Sequence, residues 1–438
     1  MRIAWFTPFS RKSSIGRRSA EIMGPLSEHT EVHLWHPATT DRRETGVRTI
    51  SFRDAADVAP DALRDYDLLV YNLGNYVPFH GEIYRISQKS PGVCILHDFV
   101  MHHFFWEYYV EQLKDRRAYV LTMERLYGPE GRNAAERGHV CASDEVLRFP
   151  FFEEAIRGAY GVVTHSEFLR ARVERVHAAP VTRITLPCAR PSGVRILTRE
   201  ELGVPAKNTL LVTVGHVNPN KRVHAVIEAI AARPHLSRAL TYAVVGPADK
   251  IYQERLMQAV RKYGLEDVVR FLGYTSDEVL ESYVEQADVC VNLRFPAMEG
   301  ASGSAVEEMM HAKPLLVTNT GSFRELPDDC VLKVDSQREA EELPAALDRL
   351  IGDPDLRRRM GRHAAEFSEE NCRPEQYVRK FLQFAREVRD AIPLLRLADR
   401  LACELNNIGV HCHMPVIQTV AREASALFCR GEENGDAD

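Results

Sequence analysis

Short apolar runs rich in β-branched residues alternate with helical stretches along this chain, and that alternation restricts its fold more than any other feature. The runs in the first half are Ile3 to Thr7, Val32 to Trp35, Val47 to Phe52, Leu68 to Leu73, Val93 to Leu96 and Val162 to Thr164. A helix between consecutive strands carries the chain back to the starting edge, so the strands pair in parallel and build a doubly wound α/β sheet. Residues Leu186 to Leu197 interrupt the pattern with Pro187, Pro191 and Gly193, as a linker between domains does. Alternation then restarts with Thr209 to Val214, Thr241 to Val245, Val268 to Leu272, Val289 to Leu293, Leu315 to Thr318 and Val331 to Val334. Two Rossmann-like domains in series are expected, 1–190 and 195–372. A helical tail, 373–438, is expected to pack back across the first domain, with its acidic end, Gly431 to Asp438, disordered.

Composition narrows the function classes. With 438 residues, 45% apolar and 27% charged, the chain can fill two cores. A net charge of −6 gives no electrostatic reason to expect nucleic acid, and clusters such as Arg11-Lys12 with Arg17-Arg18 read as solvated surface. The chain opens MRIAWFTPF, a strand rather than a charged leader, and its most aromatic run, Phe99 to Val110, is broken by His102, His103 and Glu107. A cytoplasmic protein without a transmembrane segment is expected, with peripheral membrane contact and oligomeric state left open. Nine cysteines without a CxxC pair fit reduced thiols, and the adjacent His411-Cys412-His413 cannot all face one ion, so no metal site is expected.

In doubly wound sheets, ligands bind beyond the carboxyl ends of the strands. In the first domain those positions hold a polar loop with Gly16, then Gly74-Asn75 with His80, then His97 and Asp98, then His165 and Ser166. Three histidine-bearing strand ends on one side of a sheet suggest a cleft wall. Asp65-Tyr66-Asp67 imitates a metal-binding DxD but precedes its strand, which puts it at the wrong end of the sheet.

In the second domain the first strand runs into Gly215-His216 and then Lys221-Arg222, with Asn218 or Asn220 expected to cap the helix that follows. A lysine at a helix N-terminus opposes the helix dipole and calls for an anion. Tyr274, after the Val268 to Leu272 run, sits where it would edge a base pocket. The segment Phe295 to Pro314, FPAMEGASGSAVEEMMHAKP, is strand, glycine turn and helix in succession. That geometry aims the amides of Ser302, Gly303 and Ser304 at phosphate oxygens, while Glu299 and Glu307 flank them with carboxylates for sugar hydroxyls.

These spaced motifs, together with YDLLVYNLGN and GVCILHDF, resemble the retaining glycosyltransferases of family four, which share the GT-B fold. The resemblance implies that Lys221 contacts the diphosphate of a UDP- or GDP-linked sugar, with Gly16, Gly215 and the amides around Gly303 and Ser304 close by. Glu307 would bind the ribose, Glu299 the donor sugar, and His97 would stand beside the reacting carbon. The strand-end positions place His80, Asp98 and His165 beside it, on the acceptor side. One departure is that the family usually has arginine where this chain has His216, and Arg222 or Arg294 is expected to compensate.

The resemblance further implies metal-independent, front-face transfer to a small-molecule or glycan acceptor, with no cofactor beyond the donor. It fits the absence of any evident carboxylate at a first-domain strand end to act as nucleophile. Rival readings are a non-catalytic nucleotide-sugar-binding protein and a GT-B epimerase or phosphorylase.

Overall fold

A computed structural model of the chain describes residues 1–138, 144–191, 193–238 and 240–410. The first sheet has seven strands: β1 Arg2–Phe6, β2 Glu31–Pro37, β3 Arg48–Phe52, β4 Leu68–Leu73, β5 Val93–Leu96, β6 Gly161–Thr164 and β7 Val181–Arg183. Their order is β3-β2-β1-β4-β5-β6-β7, and every pair is parallel. The second sheet holds β8 Thr209–Val214, β9 Leu240–Val245, β10 Val269–Gly273, β11 Val289–Asn292, β12 Leu315–Thr318 and β13 Val331–Val334. Its order, β10-β9-β8-β11-β12-β13, is parallel throughout. Both sheets therefore reverse their winding once, between β1 and β4 and between β8 and β11, and those switch points fix where a crevice opens.

Central strands sandwiched by helices on both faces are apolar throughout rather than alternating. Ile3, Ala4, Trp5 and Phe6 of β1 are all buried, as are Leu210, Leu211 and Val212 of β8. β7 escapes the sequence reading because it is an edge strand of two half-buried residues and one exposed, Val-Thr-Arg.

The chain divides into two compact units, Met1–Ala385 and Arg386–Asp438, so both sheets lie in the first. The last described helix spans Pro374–Asn407. Its first part lies on the first sheet: the Phe381 ring meets Trp5 edge-on at 5.1 Å, and Tyr377 stands 6.2 Å from the His165 ring. In the second unit the described residues are helical to Asn407. The expected disordered end and His411-Cys412-His413 lie outside the described residues. Among the described residues, no helix is long and apolar enough to cross a membrane.

Candidate active site

β8 ends at Val214, and the chain turns at Gly215, whose φ of 94° favours glycine. The turn folds Lys221 back beneath the strand end. Its Nζ donates to the Val214 carbonyl at 2.6 Å, and a Cβ on Gly215 would lie 3.0 Å from that nitrogen. Burial, then the charge of Arg294, lowers the Lys221 pKa to about 7 against the opposing pull of Glu299 and Glu308. An arriving phosphate would favour the protonated form, so the side chain is poised to gain charge as an anion binds.

The asparagine cap expected here is not found. Asn218 precedes a 3-10 turn, Pro219–Lys221, without a side-chain cap bond, and the Oδ1 atoms of Asn218 and Asn220 are buried without partners among the described residues. Lys221 ends this turn instead of heading an α-helix. The cations expected to compensate for His216 are also committed elsewhere. Arg222 pairs with Glu339, Nε to Oε2 at 3.0 Å, and Arg294 donates to Glu299 at 3.1 Å and to the Leu293 carbonyl at 2.8 Å. His216 is exposed, and Tyr274 is 75% exposed beyond β10.

The stretch after β11 forms the anticipated strand, turn and helix, Gly303–Met310. Ser302 caps this helix through Ala305 N–H at 3.3 Å. Helix geometry leaves the first N–H groups, on Gly303 and Ser304, to be satisfied from outside. A Cβ at Gly303 would meet nothing within 4 Å, so space beside the tip is open. The tip is braced from below by Asn292, which donates to Ser304 Oγ at 2.9 Å and to Glu308 Oε2 at 2.8 Å. Glu308 was not anticipated. It is fully buried, Oε1 has no partner among the described residues, and burial raises its pKa to about 7.

In the first domain the predicted residues converge on Asn72, at the end of β4. His97 Nε2 meets Asn72 Oδ1 at 3.0 Å, and His80 Nδ1 meets the Asn72 carbonyl at 3.0 Å. The Asn72 amide donates to the Phe6 carbonyl at 3.0 Å, which leaves its oxygen as the acceptor for His97 Nε2–H. His97 Nδ1 thus keeps the lone pair. The His97 and His165 rings are 4.9 Å apart, and His165 Nδ1 meets the Ile184 carbonyl at 2.8 Å. Burial lowers all three imidazoles, His80 and His165 to about 4 and His97 well below its ordinary value, where both neighbouring histidines add to the effect. The wall is therefore neutral at physiological pH.

Asp98 follows His97 and accepts from Asn75 N–H at 2.7 Å. Burial raises its pKa to about 7, with the Asn75 bond opposing and Glu299 adding a smaller upward push. The expectation of no carboxylate at a first-domain strand end is corrected by this residue. The DxD imitation is structural: Asp67 Oδ2 receives Arg2 N–H at 2.6 Å, at the start of β1.

The helix tip and the histidine wall meet directly. Gly300 N–H donates to the His97 carbonyl at 2.8 Å, Phe99 and Val100 N–H both donate to the Met298 carbonyl at 2.9 Å, and Asp98 bridges Glu299. Ser166 Oγ donates to the Gly300 carbonyl at 2.5 Å. A Cβ on Gly300 would sit 2.7 Å from the His97 carbonyl oxygen, so this glycine, rather than Gly303, is demanded by close approach. Beside the junction a pocket of about 60 Å³ is lined by His165, Ser166, Ala301, Val306 and Phe323 among others.

Gly16 lies in the first turn of α1, Ser14–Ser27, with its N–H on Ser13 Oγ at 3.0 Å. A Cβ there would be 2.2 Å from the Pro8 carbonyl oxygen, so packing against Pro8 accounts for this glycine. The next two residues overturn the reading of Arg17-Arg18 as solvated surface. Arg18 is buried and pairs with Glu307, and Arg17 reaches Glu307 at 3.2 Å and Glu281 at 3.0 Å.

Comparison with known proteins agrees with this geometry. Residues 194–367 match the family model of glycosyl transferases group 1. The D-inositol 3-phosphate glycosyltransferase of Streptomyces avermitilis is 28% identical over 253 residues, 55% of this chain and 51% of that protein. The alpha-D-kanosaminyltransferase of Streptomyces kanamyceticus is 25% identical over 222 residues, 48% of this chain and 56% of that protein. The chain thus spans about half the length of the curated relatives it matches. Among solved structures, Anabaena HepE in complex with UDP and glucose superposes with a TM-score of 0.61 at 17% identity, over 88% of this chain and 100% of that one. The sucrose-phosphate synthase of Thermosynechococcus elongatus gives 0.62 at 18%, over 89% and 100%. Residues 194–367 thus match glycosyl transferases group 1, within a chain whose two α/β domains have the GT-B fold.

Proposed function

We propose that this protein transfers a glycosyl group from a nucleoside diphosphate sugar to a hydroxyl-bearing acceptor, with retained configuration and without a metal ion. The observation that carries the reading is the meeting of an open helix tip and a buried lysine on one domain with a neutral histidine wall on the other. Breaking the anomeric C–O bond builds charge on the diphosphate. Preorganised N–H groups at Gly303 and Ser304, with Lys221 gaining its proton, stabilise that charge more in the transition state than before it. Glu299, held by Arg294, is positioned for sugar hydroxyls, and Glu307 for the ribose. The leaving phosphate oxygen takes the acceptor proton on the face where the new bond forms. His97 Nδ1, a neutral acceptor, orients a sugar or acceptor hydroxyl. Asp98 accepts from Asn75 N–H, a bond that holds it in a positioning role and suits front-face substitution rather than attack on the anomeric carbon. A cytoplasmic location suits a donor made in that compartment.

Incubation with UDP-, GDP- and dTDP-sugars, screened first by thermal shift and then by mass spectrometry with mixed acceptors, tests the reading. Formation of an α-linked product from an α-linked donor supports it, and a trapped glycosyl-Asp98 would replace front-face transfer by double displacement. One observation favours a second reading, donor binding without transfer: His216 is exposed and the nearby arginines are already paired. Tight donor binding with no product from any acceptor would select it.

A further inference from the structure

The second domain is short of cations for a diphosphate. Arg222 is matched by Glu339 and Arg294 by Glu299, His216 is exposed, and among the described residues Lys221 is the remaining cation at the end of β8. Two guanidinium groups arrive from the first domain instead. Arg17 and Arg18, in the first turn of α1, both reach Glu307 across the cleft. Each is anchored by an inner partner. Arg17 holds Glu281 at 3.0 Å and Glu21 at 3.3 Å, while Arg18 holds Glu21 at 2.8 Å and the Pro187 carbonyl at 3.2 Å. Glu307 is touched by Arg17 Nη1 and Arg18 Nη2, while Arg17 Nη2 and Nε and Arg18 Nη1 hold the other partners. Glu307 is also the carboxylate placed to bind a ribose; both guanidinium contacts fall on its Oε1, so a diol on Oε2 leaves the two arginines in place beside the phosphates, and one on Oε1 frees them to turn there. The helix tip at Gly303 is four residues upstream, about 6 Å along the axis at 1.5 Å per residue, within the sweep of an arginine whose inner end stays fixed.

Resting on the donor reading, we infer that Arg17 and Arg18 are phosphate-binding residues of the site. In the empty protein they neutralise Glu307, and on donor binding they exchange it for the diphosphate, supplying the positive charge that His216 does not. Bidentate geometry suits this exchange, since a guanidinium matches carboxylate and phosphate alike.

The test compares a nucleoside diphosphate with its parent nucleoside by calorimetry, using whichever of UDP, GDP, dTDP and ADP binds the wild-type protein most tightly. Arg18→Gln and Arg17→Gln should each lower diphosphate affinity at least about tenfold while leaving nucleoside affinity unchanged or raised, and Arg18→Lys should fall between. Arg17 is the less buried of the two, so its variant remains informative should Arg18→Gln fail to fold. Equal affinity of variant and wild type for the diphosphate would overturn the inference. So would a parallel gain for diphosphate and nucleoside, the signature of a cover that merely blocks Glu307. Failure of the wild-type protein to bind any diphosphate would instead end the donor reading, and this inference with it.

Discussion

The two halves of the cleft are built on sheets wound in the same order, yet their chemistry is opposite. Beyond β4, β5 and β6 stand three imidazoles that burial holds neutral, tied to backbone carbonyls and one asparagine. Beyond β8 and β11 stand a lysine, an arginine and three carboxylates, of which Arg294 and Glu299 pair with each other and Glu307 pairs with Arg17 and Arg18. The difference teaches that winding fixes where a site opens, while the residues just past each strand decide what it can hold. On the proposed function, a neutral wall positions hydroxyls without attracting ions, and a charged one recognises a diphosphate.

The comparison breaks most sharply if the neutral wall proves dispensable. His97→Ala should reduce turnover about a hundredfold, the scale for losing a group that positions a reactant, while donor affinity stays within about threefold. Equal losses in steady-state rate and in calorimetric binding would move His97 to the donor side. Lys221→Met should cost about a hundredfold in rate, as for loss of one preorganised donor, with weaker binding of the diphosphate.

Asp98 sharpens the comparison through pH. Its folded pKa of about 7 lies above the ordinary 3.8, so the folded state binds more protons between those values, and stability is greatest below pH 4 and falls as pH rises to 7. The ceiling is on the order of 4 kcal/mol. Asp98→Asn should remove that slope, so its melting temperature should gain on wild type between pH 5 and pH 8. A constant difference across that range would contradict the assignment.

A smaller effect is expected at Gly215. Alanine there adopts a strained φ and crowds Lys221, so Gly215→Ala should cost about 1 kcal/mol of stability and weaken donor binding severalfold in the same thermal and calorimetric assays. Least of all, Arg222→Ala should change donor affinity by less than about twofold, because its charge serves Glu339. A tenfold loss would return Arg222 to the phosphate site.

Much of the frame was legible from local pattern. The buried strands announce themselves as apolar runs, and Ser302 at the head of Gly303–Met310 is a cap with a mechanism. What was hidden depends on contacts distant in sequence. Arg18 and Glu307 are 289 positions apart, and nothing near Arg17-Arg18 distinguishes a buried pair from a solvated one. Glu308 looks like any helical glutamate until Asn292 is seen beneath it. Asn72 had a possible signal, a polar residue closing the apolar run LLVYNL, where a side chain must find partners inside the sheet. Gly16 was assigned to a ligand because glycine beside a predicted crevice invites that reading; its contact with Pro8, which a Cβ would block, has no local signal in the sequence.

The stitching of Met298 and Gly300 to His97, Phe99 and Val100 turns cleft motion into a peptide-level event. Parting the lobes must unzip three main-chain pairings at one seam, so the amide protons of Phe99, Val100 and Gly300 become a clock whose hydrogen–deuterium exchange times each opening.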